Sequence, residues 1–162
     1  MAEPSKGVLL AVRLRGTVGD NPDIKKTMES LKLEKTFQAR LLENTPSNLG
    51  MLRMAKNLVA WGEPQPELLE KLFEKRGEQE RSGEVDEAFV KRLGQSTVGD
   101  LAKSVIAGQV GVHDLTRAGL KPLFRLHPPR GGFKRTLRRA ASDGGELGYR
   151  GGDINSLVKR MI

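Results

Sequence analysis

Three clusters of side chains in this 162-residue chain carry groups that could grip a polyanion. The densest is RLHPPRGGFKRTLRR, residues 125–139, where Arg125, Arg130, Lys134, Arg135, Arg138 and Arg139 stand with no acid among them. Like charges this close repel one another. A polyphosphate partner removes that repulsion and releases its own counterions. Arg outnumbers Lys five to one here, which favours two-pronged contacts to phosphates and base edges. Pro128-Pro129 holds the chain extended, Gly131 and Gly132 permit close backbone approach, and His127 lies in the same stretch. The second cluster is Tyr149 and Arg150, set among Gly144, Gly145, Gly148, Gly151 and Gly152. The ring can stack on a base or ribose, and the guanidinium can pair with phosphate oxygens. The third is Arg13 and Arg15, on one face of a strand-like stretch that runs into Gly16–Gly19.

The same inventory argues against catalysis. There are two His and no Cys, so Cys-His chemistry and thiolate metal sites are excluded. No HExxH, GxSxG or GxxxxGK[ST] motif occurs, and neither His has an evident carboxylate partner to act with as a general acid/base pair. The carboxylates concentrate at Glu67–Glu87, with the spacing of a solvated helix face. No cofactor or metal and no small-molecule substrate is expected.

Charge distribution points the same way. The formal net charge is +8 with a pI near 10.0, and residues 120–162, with ten basic and three acidic groups, supply +7 of it. Residues 63–92 are acidic on balance, with nine acidic and six basic groups. No run approaches the ~18 apolar residues of a membrane span, and Met1–Lys6 is short and polar. A soluble cytoplasmic protein with a nucleic-acid partner is expected.

The elements that must carry these groups follow from periodicity. Gly7–Gly16 alternates as a strand, with Val8, Leu10, Val12 and Leu14 on one face. Asn21-Pro22 opens a helix with Ile24, Met28 and Leu31 inward, and Thr36–Leu42 reads as a second strand. Thr45-Pro46 opens a second helix with Leu49, Leu52 and Ala55 inward, and Leu58–Trp61 is a short third strand. Trp61, Met51 and Met54 read as core. From Pro64 the pattern turns mostly helical: a helix bearing Leu68, Leu69, Leu72 and Phe73, then Val85–Leu93, Val98–Ala107 and Gly111–Ala118. Pro122–Leu126 is strand-like, and a basic Gly/Pro-rich loop runs on to Gly152. Phe133, Leu137 and Leu147 are few apolar anchors for residues 128–152, so that segment is expected to order only on its partner. Asp153 is expected to cap a last helix striped by Ile154, Leu157, Val158 and Met161.

LLAVRLRG, PDIKKTMESLKL and NTPSNLGMLRMAKNLVAWGEP, together with RLHPPRGGFK and GGELGYRGGDINSLVKRMI, resemble the large-subunit ribosomal protein "L thirty" family. The longer archaeal-type members, whose eukaryotic relatives are called "L seven", are the best match. The resemblance spans nearly the whole chain. It implies an α+β fold: a β-α-β-α-β core with a small antiparallel, ferredoxin-like sheet and two helices on one face. That core would be residues 1–62. Residues 63–162 would form a mostly helical extension ending in the basic loop and a short helix. The resemblance also implies a structural constituent of the large subunit, bound to its ribosomal RNA and to neighbouring ribosomal proteins. The expected RNA contacts are then Arg13, Arg15, Arg125, His127, Arg130, Gly131, Gly132, Lys134, Arg135, Arg138, Arg139, Tyr149 and Arg150. No long Lys-rich segment precedes the first strand, and the chain continues far past the bacterial-type core; both suit the archaeal-type class. A free RNA-processing or assembly factor with the same basic tail is the alternative.

Overall fold

The computed structural model describes residues 7–16, 18–19, 21–79, 83 and 85–162. Met1–Lys6, and Thr17 of the expected glycine turn, lie outside the described residues.

The first half forms as its periodicity predicts. Strands β1 (Val8–Arg13), β2 (Gln38–Glu43) and β3 (Val59–Gly62) alternate with helices α1 (Pro22–Ser30) and α2 (Pro46–Met54). Each helix starts with proline inside a side-chain cap. The side-chain Oδ1 of Asn21 accepts from the Asp23 N–H at 2.9 Å, and the Thr45 hydroxyl from the Asn48 N–H at 3.2 Å. β1 is central and antiparallel to both β2 and β3.

The second half contributes α3 (Pro66–Arg76), β4 (Glu78–Gln79), α4 (Glu87–Arg92), α5 (Val98–Ile106) and α6 (Val112–Arg117). It continues with β5 (Leu120–Lys121), β6 (Leu123–Arg125), β7 (Thr136–Ala140), β8 (Gly145–Tyr149) and α7 (Ile154–Met161). β4 and β5 pair as a separate two-stranded ribbon.

Two expectations need correction. The small antiparallel sheet of β2, β1 and β3 does not stand alone: the extension widens it to six strands, in the order β6-β2-β1-β3-β8-β7. β6 extends it antiparallel on β2, while β8 joins β3, and β7 joins β8, in parallel. The stretch from 128 to 152 is therefore not a continuous loop. Its strands were hidden because their pairing is parallel and distant in sequence, and because glycine breaks the alternation. Gly148 sits at φ +82°, a conformation that L side chains resist. There the chain changes sides: Leu147 packs into the core under α3–α7, whereas Tyr149 tilts against Trp61 on the α1/α2 side.

Both faces of the sheet are covered. On one, Leu9, Ala11, Val59 and Trp61 meet Met28, Leu31, Leu52 and Ala55 of the α1/α2 layer. On the other, Val8, Leu10, Val12 and Leu41 meet Leu69, Leu72, Phe73, Leu101, Val105, Leu157 and Met161. Each of the Val, Leu, Phe and Met side chains among them contributes about 1.5–3 kcal/mol through burial. Met54, expected in the core, is half exposed.

Asp86 caps α4, accepting from the Phe89 N–H at 2.8 Å and from the Gln79 amide at 3.3 Å. Those bonds hold its carboxyl below the usual carboxylate range. The folded-state value is depressed, so the stability it adds is present at neutral pH and lost as pH falls through that value. The thermal midpoint of Asp86→Ala should lie below that of the parent at pH 7, and the gap should close as the pH is lowered past the carboxylate range. A gap that stays constant with pH would rule out this role.

Candidate nucleic-acid interface

Strand direction decides which cations meet. β1 ends where β2 and β3 begin, since Val12 lies opposite Ala39 and Arg13 opposite Val59. Arg125, at the end of β6, lies opposite Gln38. β7 starts at the same end, with Thr136 level with Gly145 and Gly145 lying before the Gly148–Ala60 pair. Segment 125–135 thus crosses from one sheet edge to the other along this end. Arg15, Arg125, His127, Arg130, Gly131, Gly132, Lys134 and Arg135 gather there, and Arg138 and Arg139 follow on the edge strand β7.

The segment is held to the body of the protein at several points. Phe133 stacks on Phe37, with ring centroids 6.4 Å apart, and the Leu126 N–H donates to the Phe37 carbonyl. Phe133 and Leu137 pack against the α3–α7 core, and Leu147 is buried within it. The C-terminal turn of α7 supplies acceptors. The His127 N–H donates to the Met161 carbonyl and the Arg130 N–H to the Arg160 carbonyl, each at 3.0 Å. In return Arg160 Nη1 donates to the Gly132 carbonyl at 2.7 Å. The ring nitrogens of His127 lie 2.6 Å from the Pro128 carbonyl oxygen and 2.7 Å from Ile162 O. The unpaired carbonyls that end a helix are thus used to shape the loop.

Arg125, Arg130, Lys134, Arg135, Arg138 and Arg139 are exposed, and among the described residues none of these side chains forms an ion pair. β7 is an edge strand, and its arginines would oppose pairing with another protein strand while suiting a phosphate backbone.

Three of the expected contacts are differently placed. Arg13 is buried, and its guanidinium donates to the carbonyls of Leu33 at 2.8 Å, Glu34 at 2.7 Å and Arg15 at 2.9 Å. It braces the turn after α1; both faces of β1 are covered, so its side chain turns inward. The side chain of Arg150 is likewise buried, its Nη1 paired with the Glu146 carboxylate. Tyr149 lies opposite Trp61, towards the other end of β3. Its ring is exposed, but its hydroxyl donates to both oxygens of Glu63, at 2.8 and 2.9 Å. That bond pushes the phenol above its usual range. Arg15 remains exposed, with one long bond of 3.5 Å to the Asn57 carbonyl.

Two residues that organise this region were missed. Glu146 is 1% exposed and accepts the Arg135 N–H at 2.9 Å. A lone glutamate inside a glycine run of a strongly basic segment was its signal. Asn155, rather than Asp153, ties down the start of α7. Its amide donates to the carbonyls of Glu63 and Gly152 and accepts the Gln65 N–H at 2.7 Å, whereas Asp153 makes no side-chain cap.

A family model described as Ribosomal protein L30p/L7e matches residues 9–59, from β1 to the start of β3. Curated relatives named "Large ribosomal subunit protein uL30" match almost end to end. That of Thermofilum pendens is 43% identical over 154 residues, 94% of this chain and 97% of the relative. That of Aeropyrum pernix is 41% identical over 153 residues, 93% of this chain and 96% of the relative. That of Methanobrevibacter smithii is 41% identical over 156 residues, 96% of this chain and 100% of the relative.

Proposed function

The chain belongs to the ribosomal protein L30p/L7e family, and from that membership we infer that it is a structural constituent of the large ribosomal subunit. It works by binding and stabilising ribosomal RNA, not by catalysis, and its place is on the cytoplasmic ribosome. Among the described residues, no helix is long and apolar enough to cross a membrane.

We propose the basic end of the sheet as its RNA contact. The observation that carries this reading is the set of six exposed cations, Arg125 to Arg139, none of them paired with a carboxylate among the described residues. Arg15, His127 and the backbone of Gly131 and Gly132 belong to the same end and are proposed to contact the RNA there. Tyr149 offers an exposed ring for stacking at a separate point. Arg13 and Arg150 support the surface from inside. We further propose residues 1–62 as the family core, in accord with the stretch its model matches, and 63–162 as an extension. That extension covers the core's second face and carries the interface. Its acidic stretch 63–92, which includes α3 and α4, would face solvent or a neighbouring ribosomal protein.

Sedimentation separates this reading from a free processing or assembly factor. The protein should remain with large subunits through a moderate salt wash at about one copy per subunit. Release of most of it into the free fraction at that salt would favour the assembly factor.

A further inference from the structure

We propose that Glu146 is the positioning residue of the basic arm, fixing where Arg135, Arg138 and Arg139 are presented; this rests on the interface assigned above. Glu146 is the one buried carboxylate in a segment otherwise dominated by cations. Its two oxygens do different things. Oε1 accepts the backbone N–H of Arg135, the residue that enters β7, at 2.9 Å. Oε2 takes Nη1 of Arg150, and that same nitrogen donates to the Glu146 carbonyl at 3.2 Å. The Arg150 N–H in turn donates to the Trp61 carbonyl at 2.8 Å. A continuous line therefore runs from β3 through Arg150 and Glu146 to the first residue of the arm.

The chemistry explains why a glutamate stands here. A buried carboxylate is stable only when paired and hydrogen-bonded, so it demands both partners at once. Arg150 neutralises it, leaving the second oxygen free to hold a main-chain N–H rather than another side chain. The arm is thereby fixed through its backbone, and its side chains stay free. Close approach completes the arrangement: a Cβ at Gly145 would collide with the main chain of Arg139, so β7 can lie against β8 only with glycine there.

Two double variants test this in one charge background. Glu146→Met with Arg150→Met removes one negative and one positive group, so net charge is unchanged, and it replaces a buried pair with apolar groups that can fill the space. Glu146→Gln with Arg150→Met differs only in keeping an oxygen for the Arg135 N–H. Trypsin cleavage of the free folded protein after Arg135, Arg138 and Arg139 is followed alongside the salt dependence of binding to large-subunit ribosomal RNA. In the methionine pair, cleavage should quicken about tenfold, reporting local opening of the arm. Its plot of log K against log salt should flatten by about two units or more, beyond the 0.7–0.9 that loss of Arg150 alone could produce. The glutamine pair should recover most of both. A methionine pair that keeps wild-type cleavage and slope overturns the proposal, as does a glutamine pair as loose as the methionine pair. If the wild-type protein binds this RNA with no salt dependence, the interface reading itself is wrong. The cleavage comparison then still decides whether Glu146 holds the arm.

Discussion

Leu157→Asp should lower the thermal midpoint of the free protein by about 10 °C or more. Leu157 is fully buried on α7, beside Ile154, Val158 and Met161, in the core shared with β1 and α3. Removing a buried Leu side chain costs about 2–5 kcal/mol, and an unpaired carboxylate in its place adds a desolvation cost. One kcal/mol moves the midpoint of a domain this size by about 2–4 °C, which gives the expected fall. The effect should reach the interface. The end of α7 accepts N–H groups from His127 and Arg130, and Arg160 returns a bond to Gly132. An undocked α7 would release that loop, so calorimetry of the variant should be paired with its affinity for ribosomal RNA. An unchanged midpoint would mean that α7 is not held by the protein.

What could be read from the sequence was what local patterns encode. β1, α1, β2, α2 and β3 each announced themselves through alternation, a 3.6-residue stripe or a proline inside a capping residue. The basic stretch was visible from charge alone. What stayed hidden depends on distant pairing. β8 lies in parallel beside β3, some eighty residues away, and Gly148 disrupts the very alternation by which a strand is recognised. The fate of Arg13 was hidden for a related reason. Arg13 shares the α1/α2 face of β1 with Leu9 and Ala11, and it reads as an exposed cation at a strand end until the turn after α1 is known to fold back over it. Charge could not separate Arg150 from Arg138 or Arg139. Only the placement of Glu146 does so, and that placement is a tertiary fact. Phe133, Leu137 and Leu147 are legible as the apolar anchors of residues 128–152, but their contacts with the core and the backbone bonds to α7 are not.

The remaining large effect concerns Arg130, Arg135, Arg138 and Arg139. All four side chains are exposed and lie outside the core, so replacing them with Gln should leave the fold and its circular dichroism intact. Each phosphate contact contributes roughly 0.7–0.9 to the slope of log K against log salt, and losing four should flatten it by about three units. Affinity for the large subunit should fall most at low salt, where counterion release matters most. Lys71→Gln and Lys75→Gln on α3, well apart in sequence from the basic arm, serve as controls and should change neither slope nor incorporation into subunits. The decisive measurement is therefore the salt dependence of binding to large-subunit ribosomal RNA by the fourfold variant. A slope flattened by about three units, with the fold retained, is the expected result. A fourfold variant that keeps the wild-type slope and still enters subunits would contradict it, and would reduce the basic arm to a solubilising surface.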